Sequence, residues 1–366
     1  MTVRRNILIA GGKTGGHLFP GIAVAQALQR LQPGVQILFV GTDTPFEVST
    51  LKTYGFDHAS INAHPVKGKG LLTKLYGLAM VLVSLCQSMA IILRFKPDFV
   101  LGVGGFSSFA VVLAAWMFRI PTAIQEQNAI PGMTNRLLAR FSGTVFTSFP
   151  STKGMPPPPK TRFVGNPVRE KGPVQDMDDS WLSDTRPDDF IILVTGGSQG
   201  AASINQAVAD MAQYLAGTKD LFVILQTGTA DETRIKRIFQ SLKIRARVQA
   251  FFHNMPALLD KAALVICRAG AGTVSELALK GVPAILVPYP HAADDHQSFN
   301  ARSLADTGAA LVMADSRLSG HALGQAVLRL KSDPEQRQQM AAAMKQMARP
   351  HAAEHIAAHI LDIKET

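Results

Sequence analysis

Cysteine, tyrosine and tryptophan are scarce in this sequence. Its 366 residues include two cysteines, four tyrosines and two tryptophans. Cys86 and Cys267 both lie in apolar runs, which is typical of small buried hydrophobic residues in a reducing compartment and not of a disulfide framework. No segment interleaves aromatic and basic residues as nucleic-acid-binding modules do, so we expect no nucleic-acid partner. A signal peptide is also lacking before the strand-like segment at Asn6, so we expect a cytoplasmic protein.

Charged residues are few, and acidic ones are outnumbered by basic ones. Charged residues make up 17% of the chain and hydrophobic residues 47%, which is the composition of a globular protein and not of a disordered one. The formal net charge of +10 indicates an anionic partner, either a membrane surface or phosphorylated small molecules once nucleic acid is set aside. The length predicts two domains of ordinary size.

The run from Leu75 to Leu93 has no charged residue. A transmembrane helix needs about 20 apolar residues, so the run is of borderline length. Ser84, Gln87 and Ser88 recur along it at helical spacing and would form one polar face. We therefore expect a helix that belongs to the core or lies against a surface, and not a membrane span.

The segment before this run is both basic and apolar. Lys67, Lys69 and Lys74 surround the leucines Leu71 and Leu72, which would suit anionic lipid headgroups. Lysines scattered through a solvated loop would give the same composition, and both interpretations stay open at this point.

A glycine-rich loop follows the first strand-like segment. The apolar run Asn6–Ala10 leads into Gly11-Gly-Lys-Thr-Gly-Gly-His17, and apolar residues then recur at helical spacing from Ile22 to Leu31. Strand, loop and helix form half of a βαβ unit with an anion site at the helix start. Although Gly12-Lys-Thr14 occurs within the loop, the loop does not end in Gly-Lys-Ser/Thr, the ending that binds nucleotide and magnesium in ATP-hydrolysing proteins, so we do not expect ATP hydrolysis.

The stretch from Arg268 to Glu276 has the same character. It reads Arg-Ala-Gly-Ala-Gly-Thr-Val-Ser-Glu, follows the apolar run Ala262–Cys267 and opens a helix-like run from Val274 to Lys280. Small residues let a backbone approach a ligand, and a helix start attracts phosphate. We expect Glu276 in the first helical turn, where its carboxylate could accept hydrogen bonds from a sugar. An ordinary strand-to-helix turn would have a similar sequence.

Strand-like runs form two series, each opened by a glycine loop. This pattern predicts an α/β fold of two Rossmann-like domains whose parallel sheets face a cleft. We expect an N-terminal domain over 1–164, a C-terminal domain over 165–340, and a C-terminal helix over 341–366 that could pack back on the first domain. The expected strands are Asn6–Ala10, Val35–Val40, Pro97–Gly105, Ile120–Ile124, Gly143–Phe149, Ile191–Thr195, Leu221–Thr227, Val248–Phe252, Leu264–Cys267 and, as the last, Ala284–Val287.

A set of short motifs runs through the chain in a fixed order. It resembles the MurG family of glycosyltransferases over nearly the whole chain and implies the fold often called GT-B, the same two-domain architecture. The motifs are Gly11-Gly-Lys-Thr-Gly-Gly-His17, Glu126-Gln-Asn128, Ile130-Pro-Gly-Met-Thr-Asn135, Gly165-Asn-Pro-Val-Arg169, Gly196-Gly-Ser-Gln-Gly-Ala201, Arg268 to Glu276, and Asp295-His-Gln297.

The resemblance implies a reaction and its partners. The family transfers N-acetylglucosamine from UDP-N-acetylglucosamine, with inversion, to the muramyl 4-hydroxyl of undecaprenyl-pyrophosphoryl-N-acetylmuramyl-pentapeptide (lipid I), forming lipid II for peptidoglycan synthesis, cell shape and cell division. It implies a peripheral protein on the cytoplasmic face of the cell membrane, with an anionic membrane surface and other cell-wall synthesis proteins as further partners. No cofactor is implied.

The resemblance also assigns a donor site. Glu276 would bind the ribose hydroxyls, and the backbone of Phe252 would bind uracil. Ser198 and the turn that begins at Ala271 would contact the pyrophosphate. His296 and Gln297 would bind the sugar. The remaining donor residues continue that helix start or belong to the first domain across the cleft: Gly272, Thr273, Val274, Ser275, Thr14, Gly15, Gly16, Asn128 and Arg169.

Catalysis requires a base for the acceptor hydroxyl and stabilisation of departing UDP. The ordinary pKa range of histidine suits His17 to the role of base, although a histidine could also simply shape the loop. Glu126 would orient it or bind the acceptor. Helix starts and Arg169 could stabilise the pyrophosphate without a metal. Asp294-Asp295-His296 has metal-ligand residue types, but its adjacent spacing is typical of a polar loop, so we expect no metal.

A lipid-linked acceptor implies contact with a membrane. The segment around the lysines described above would supply it, together with one tryptophan further along the chain. The expected contact residues are Lys67, Lys69, Leu71, Leu72, Lys74, Leu75 and Trp116.

The chain departs from the family pattern in three places. Lys13 stands where the family usually has a third glycine, and Gln125 replaces a usual histidine before Glu126. Residues Ser107 to Ala110 replace a segment that usually contains Gly-Pro. These departures affect the first loop and the acceptor side and leave the donor motifs intact.

Other functions stay open from the residues alone. A nicotinamide dehydrogenase would need Gly-x-Gly-x-x-Gly and an acid about 20 residues later; the first loop fits this poorly, although Asp43 lies near such a distance. Another UDP-sugar enzyme of this fold, such as an epimerase or a lipid glycosyltransferase, is a closer alternative. A non-catalytic UDP-sugar sensor would keep the donor motifs and tolerate loss of His17.

Overall fold

The computed structural model describes residues 5–63, 71–169, 184–197, 200–252 and 254–362, with backbone alone for residues 71–75 and 78. The chain forms two compact units: unit 1 comprises Met1–Pro173 and Arg349–Thr366, and unit 2 comprises Val174–Ala348. The boundaries between these units differ from the expected domain limits, and those limits remain a prediction.

Unit 1 is built on a parallel sheet of seven strands. They are β1 (Asn6–Ala10), β2 (Gln36–Gly41), β3 (Asp57–Ser60), β4 (Phe99–Gly102), β5 (Thr122–Glu126), β6 (Thr144–Thr147) and β7 (Thr161–Phe163). Their order in the sheet is β3-β2-β1-β4-β5-β6-β7. The order reverses between β1 and β4, and ligands bind at the carboxyl ends of strands at such a point in open α/β sheets.

Helices cover both faces of this sheet. Within unit 1 they are α1 (Gly15–Leu31), α2 (Pro45–Thr53), α3 (Leu71–Phe95), α4 (Phe106–Met117) and α5 (Met133–Leu138). Strands β1 and β4 consist largely of apolar residues because they are buried between helices on the two faces.

The α3 helix corresponds to the uncharged run of the sequence. Its polar face packs on the segment after β3: Ser84 Oγ donates to Asn62 O at 2.5 Å, and Gln87 Oε1 accepts from Asn62 N–H at 2.7 Å. Among the residues that the structure describes, no helix has the length and apolar character needed to cross a membrane.

Unit 2 repeats this architecture with a parallel sheet of six strands. They are β8 (Phe190–Thr195), β9 (Leu221–Gln226), β10 (Ala246–Gln249), β11 (Leu264–Cys267), β12 (Ala284–Leu286) and β13 (Ala310–Val312), in the order β10-β9-β8-β11-β12-β13. Its helices are α6 (Ala202–Leu215), α7 (Glu232–Ser241), α8 (Met255–Lys261), α9 (Ala271–Lys280), α10 (His296–Ala305), α11 (Gly320–Ser332) and α12 (Pro334–Gln346).

The chain ends with a helix that belongs to unit 1. Helix α13 (Ala352–Asp362) packs on α1, where Ile356 and Ile360 are buried in the core. Glu354 accepts a hydrogen bond from Arg30 of α1 at 2.7 Å, and the Arg5 guanidinium donates to Leu361 O. Polar and apolar contacts thus hold the last helix against the first.

Several details of the predicted elements were wrong. Strand β13 follows β12, so Ala284–Val287 is not the last strand. Helix α1 begins at Gly15 and not near Ile22, with an extended Thr14 as its N-cap. Helix α9 begins at Ala271 because the chain turns at an extended Gly270. Glu276 therefore lies beyond the first helical turn in which we expected it.

Candidate active site

The first glycine loop joins β1 to α1 at the carboxyl end of the unit 1 sheet. Gly11 and Gly12 have φ values of 125° and 144°, which favour glycine. Gly11 N–H donates to Val40 O at 3.0 Å, and a Cβ at Gly11 would overlap the carbonyl oxygen of Gly104. The loop therefore lies directly against the segment that follows β4, and a side chain at Gly11 would separate them.

His17 lies in the first turn of α1, next to that segment. A Cβ at Gly104 would be 2.9 Å from Nδ1 of His17 and 3.0 Å from its Cε1. At Gly105 a Cβ would be 3.9 Å from the His17 ring, an ordinary contact distance. Gly104 thus leaves the space that the imidazole needs, and the half-buried ring remains partly accessible.

Gln127, which follows β5, contacts Nδ1 of the same imidazole. Its Oε1 is 3.2 Å from Nδ1 of His17, and its Nε2 donates to Val103 O at 2.8 Å and to Gln125 Oε1. Gln127 is 2% exposed. We did not identify it from the sequence, although residues two apart in a strand share a face, which places Gln125 and Gln127 on one side and Glu126 on the other.

The carboxylate of Glu126 bonds to the segment after β5. It accepts from the backbone N–H groups of Asn128 at 2.9 Å and Gly132 at 3.2 Å, and from Asn135 Nδ2 at 2.8 Å. Burial raises the pKa of Glu126, and these hydrogen bonds oppose that effect. Glu126 thereby shapes the Asn128–Asn135 segment, and its predicted role in orienting His17 or binding the acceptor stays a prediction.

Arg169 is not part of α1, but its side chain packs against the first turns of that helix. Its guanidinium is 4.1 Å from the ring centroid of Phe19 and donates to the Tyr54 hydroxyl at 2.8 Å. Phe19 in turn lies 3.0 Å from where a Cβ of Gly15 would be. Arg169 therefore adds positive charge to the helix start that also carries Thr14, whose side chain makes no capping hydrogen bond.

A buried carboxyl lies beneath this loop. Glu47 is fully buried, and its Oε2 accepts from the backbone N–H and the hydroxyl of Thr42 at 3.0 and 2.9 Å. Its Oε1 has no hydrogen-bond partner among the described residues and lies 3.8 Å from His58 Nε2. Burial raises the pKa of Glu47 and lowers that of His58. A Cβ at Gly12 would be 2.8 Å from Oε1 of Glu47, which places this pair directly against the loop.

In unit 2 the second glycine loop is tied to the segment after β10. Gln226, 2% exposed, donates through Nε2 to Gly197 O at 2.9 Å and to Thr195 Oγ1 at 3.3 Å. Its Oε1 accepts from Phe252 N–H at 3.0 Å. The N–H of Phe252 is thus engaged within the protein, and its carbonyl oxygen is the backbone group suited to a ligand. Ser198 lies outside the described residues.

Arg268 fastens the loop before α9. Its guanidinium donates to Asp315 at 2.6 Å, to Ser203 Oγ at 2.8 Å and to the carbonyl oxygens of Val287 and Pro288 at 3.2 Å. Burial opposes ionisation of Asp315, but the hydrogen bonds from Ser203 and Arg268 outweigh it and lower its pKa. Arg268 therefore connects the starts of α6 and α9 with the end of β12. The glycine motifs in the sequence did not predict this connection.

The first turns of α9 carry six of the predicted donor residues. Ala271 and Val274 are buried and anchor the helix, whereas Gly272, Thr273, Ser275 and Glu276 are partly exposed. Ser275 Oγ donates back to Ala271 O at 2.9 Å. The structure thus brings Ala271, Gly272, Thr273, Val274, Ser275 and Glu276 together on one helix start.

The predicted sugar-binding pair begins α10. His296 Nδ1 is 2.7 Å from Ala293 O, and Gln297 Oε1 accepts from Tyr289 N–H at 2.9 Å. Asp294 and Asp295 just before them have φ values of 51° and 54°, an unfavourable conformation for residues with a side chain. Within the described ranges no cluster of three or more metal-ligand residues occurs.

The predicted membrane contacts are only partly within the described chain. Lys67 and Lys69 lie outside it, and Leu71, Leu72, Lys74 and Leu75 are described by backbone alone. Trp116 is 48% exposed and packs edge-on against Phe141 at 5.0 Å between ring centroids. Its neighbours Met117 and Phe118 are also exposed, which makes this end of α4 apolar at its surface.

Both halves of the chain match one enzyme family. Residues 7–147 match the glycosyltransferase family 28 N-terminal domain, and residues 191–356 match the family 28 C-terminal domain. The chain is 41% identical to UDP-N-acetylglucosamine–N-acetylmuramyl-(pentapeptide) pyrophosphoryl-undecaprenol N-acetylglucosamine transferase of Myxococcus xanthus (strain DK1622), over 98% of this chain and 92% of the relative. A relative of the same description from Anaeromyxobacter sp. (strain Fw109-5) is 42% identical over 96% and 91%.

Solved structures support the same relationship. The crystal structure of Acinetobacter baumannii MurG superposes with a TM-score of 0.80 at 30% identity, over 98% of this chain and 99% of that one. UDP-GlcNAc 2-epimerase from Neisseria meningitidis superposes with a TM-score of 0.70 at 14% identity, over 98% and 100%, which reflects a shared fold alone. The chain therefore belongs to glycosyltransferase family 28 and, within it, to the MurG family.

Proposed function

We propose that this chain is an inverting glycosyltransferase that moves N-acetylglucosamine from UDP-N-acetylglucosamine to the muramyl 4-hydroxyl of lipid I, forming lipid II. The observation that carries this proposal is the full-length similarity to relatives named for this transfer. Motifs at the carboxyl ends of both sheets supply the groups that the reaction needs.

Unit 2 supplies most of the donor contacts in this proposal. The carbonyl oxygen of Phe252 accepts from uracil, because its N–H already donates to Gln226. Glu276 binds the ribose hydroxyls, and the N–H groups of the α9 start receive the pyrophosphate together with Ser198. Gln297 binds the sugar through Nε2, since its Oε1 is engaged by Tyr289. The other residues assigned to the donor are Thr14, Gly15, Gly16, Asn128, Arg169, Ala271, Gly272, Thr273, Val274, Ser275 and His296.

Unit 1 supplies the base. The imidazole of His17 takes the proton of the acceptor 4-hydroxyl while that oxygen attacks the anomeric carbon. The new bond joins O4 to C1, the bond from C1 to the β-phosphate oxygen breaks, and UDP leaves with the electron pair. Attack opposite the leaving group inverts the anomeric carbon. The α9 helix start and Arg169 stabilise the charge that develops on the pyrophosphate.

Transfer of labelled sugar tests the proposal. Purified protein is incubated with labelled UDP-N-acetylglucosamine and a lipid I analogue, and the linkage of the product is assigned by NMR. We expect a β-linked disaccharide, and we expect His17→Ala to lower kcat by about 10²- to 10⁴-fold with UDP binding retained. His17→Ala turnover near that of the wild type would overturn the base assignment.

The same incubation separates the alternatives. Isomerisation of the UDP-sugar in the absence of acceptor would identify an epimerase, to which the shared fold alone points. Tight UDP-sugar binding without either reaction would identify a sensor. Either result would contradict the transferase proposal.

A lipid-linked acceptor also calls for attachment at the cytoplasmic face of the membrane. We assign this to the basic segment containing Lys67, Lys69 and Lys74, with Leu71, Leu72, Leu75 and Trp116 as the apolar contacts. The exposed apolar end of α4 supports this assignment. Other cell-wall synthesis proteins are further proposed partners.

Vesicle sedimentation tests the membrane assignment. Reversing the charge of the three lysines to glutamate should abolish binding to vesicles that contain anionic phospholipid. The matched control reverses Lys219, Lys236 and Lys243, three exposed lysines of unit 2. Equal loss of binding in both triple variants would point to net charge alone and not to this segment.

A further inference from the structure

We infer that Gln127 is a positioning residue for the base: its Oε1 accepts the hydrogen bond from Nδ1–H of His17 and so keeps the lone pair on Nε2, the atom that receives the acceptor proton. The inference rests on the proposed function, since it concerns the same proton transfer. It assigns a task to a buried amide between two residues of the family motif.

The orientation of the Gln127 amide follows from a backbone carbonyl. Val103 O can only accept, so the group 2.8 Å from it must be the amide nitrogen of Gln127. The oxygen of the same amide therefore faces Nδ1 of His17 at 3.2 Å. A neutral imidazole carries one N–H, and an acceptor beside Nδ1 places that N–H there. Nε2 is then unprotonated and able to act as a base.

A second amide supports this orientation. Gln125 Oε1 accepts from Gln127 Nε2, while Gln125 Nε2 donates to Ser148 Oγ at 3.0 Å and Asn166 Oδ1 at 3.2 Å. Ser148 Oγ donates onward to Glu126 O at 2.9 Å. Each amide in this series has its donor and acceptor ends fixed by a neighbour, and Gln125 and Asn166 are buried as well. Reversal of Gln127 would place its oxygen against two acceptors, Val103 O and Gln125 Oε1.

The two nearby carboxylates, Glu126 and Glu47, form hydrogen bonds with other residues. The carboxylate of Glu126 bonds to Asn128, Gly132 and Asn135, and that of Glu47 bonds to Thr42. Nδ1 of His17 is instead paired with a neutral amide oxygen. Such a partner fixes the tautomer and the ring orientation without adding a negative charge to the site.

Nitrogen NMR of the unaltered protein gives the first test. With histidine labelled at both ring nitrogens and at a pH where the ring is neutral, we expect Nδ1 of His17 to be protonated and Nε2 to be unprotonated. The signals are assigned by their loss in His17→Gln. A neutral His17 with its proton on Nε2 would overturn the inference without any variant of Gln127.

Replacement of Gln127 gives the second test. Gln127→Leu should lower kcat by about 10- to 100-fold and leave KM for UDP-N-acetylglucosamine within about twofold, because only the positioning of the base is lost. The tautomer signals should become a mixture. Gln127→Met, unbranched and of similar length, serves if the leucine variant does not fold. The control Gln226→Leu changes an equally buried glutamine of unit 2 and should leave the tautomer signals unchanged.

A double variant distinguishes positioning from a structural role. A residue that acts through His17 should have no further effect once His17 is gone, so His17→Ala with Gln127→Leu should turn over like His17→Ala alone. A further drop in the double variant would indicate a structural role and overturn the inference. If His17→Ala itself is fully active, the proposed base fails first, which the single variant reveals independently.

Discussion

Gln226 connects two segments of unit 2 that our proposal assigns to donor binding. Its amide joins the second glycine loop at Gly197 to the backbone of Phe252 through two hydrogen bonds of 2.9 and 3.0 Å. Buried amides with both ends engaged are costly to replace, because each former partner is left without a hydrogen bond. The predicted contacts with uracil and pyrophosphate therefore depend on one side chain that touches neither in our proposal.

Replacing Gln226 should weaken donor binding. Gln226→Leu is expected to raise KM for UDP-N-acetylglucosamine and the Kd of UDP by about tenfold, roughly 1.4 kcal/mol, with a smaller effect on kcat. Isothermal titration with UDP measures the change. Gln206→Leu alters an exposed glutamine of α6 in the same unit and serves as the control. Unchanged UDP affinity in Gln226→Leu would show that the two segments hold their positions without it.

Glu47 should make stability depend on pH. Its pKa is raised in the folded state, so the fold binds this proton more tightly than the unfolded chain does. The associated stability is present below the ordinary value of 4.5 and is lost as the pH rises through the raised pKa. The pKa of His58 is lowered, so its contribution is present above 6.5 and is lost as the pH falls through the lowered pKa.

Glu47→Gln should remove the first of these dependences. The amide keeps an acceptor for Thr42 and places a donor where Oε1 now lacks a partner, 3.8 Å from His58 Nε2. We expect a higher free energy of unfolding at pH 7.5, by on the order of 1 kcal/mol, and a flatter profile above pH 4.5. Urea unfolding across this pH range measures both. A variant less stable than the wild type at pH 7.5 would contradict the expectation.

For single residues, the sequence predicted the types of side chain at the candidate site better than it predicted which side chains contact each other. The motif around Glu126 predicted a functional segment, and its carboxylate was predicted to orient His17 or to bind the acceptor, which stays a prediction. The structure places Gln127 at Nδ1 of His17, because side chains alternate along β5 and only alternate residues share a face. Gln226 and Glu47 had no motif to indicate them, since their contacts join segments far apart in the sequence.

Among the elements, the turn after β4 sets the place of the His17 ring. Gly104→Ala should lower kcat by about 10- to 100-fold, because its Cβ would lie 2.9 Å from Nδ1 of His17 and displace the ring. Gly105→Ala is a matched control: both residues have positive φ, 94° and 85°, but a Cβ at Gly105 is 3.9 Å from the ring. Steady-state kinetics should therefore separate the two variants. Equal losses of kcat in the two variants would mean that backbone strain, and not contact with the imidazole, causes the effect.

The strands show which elements a sequence indicates clearly. Those buried on both faces, such as β1 and β8, are uninterrupted apolar runs and were predicted close to their observed limits. Strand β3 reads Asp-His-Ala-Ser and β7 reads Thr-Arg-Phe, and both lie at sheet edges with exposed residues. Edge strands have one open side, so their polar sequences resemble loops. Helix α1 was placed too late because two glycines and Pro20 lie in its first turns.

For the whole molecule, the path of the chain makes unit 1 dependent on its last helix. The chain leaves unit 1, forms unit 2 and returns at Arg349. Helix α13 then fills part of the unit 1 core with Ile356, which is fully buried, and Ile360. Gly165 faces the same return, since a Cβ there would overlap the Arg349 side chain. The C-terminal residues are therefore part of the unit that carries the proposed base.

Ile356→Ala should accordingly destabilise one unit more than the other. Removing a fully buried isoleucine side chain from between α13 and α1 should cost about 2–4 kcal/mol, through lost apolar burial and the cavity left behind. Hydrogen exchange read by mass spectrometry should then show faster exchange in peptides from 5–63 and 71–169 and little change in those from 200–252 and 254–348. His355→Ala, at an exposed position of α13, should change neither set. Equal acceleration in both units would mean that they unfold as one cooperative body, and the returning helix would then stabilise the whole chain.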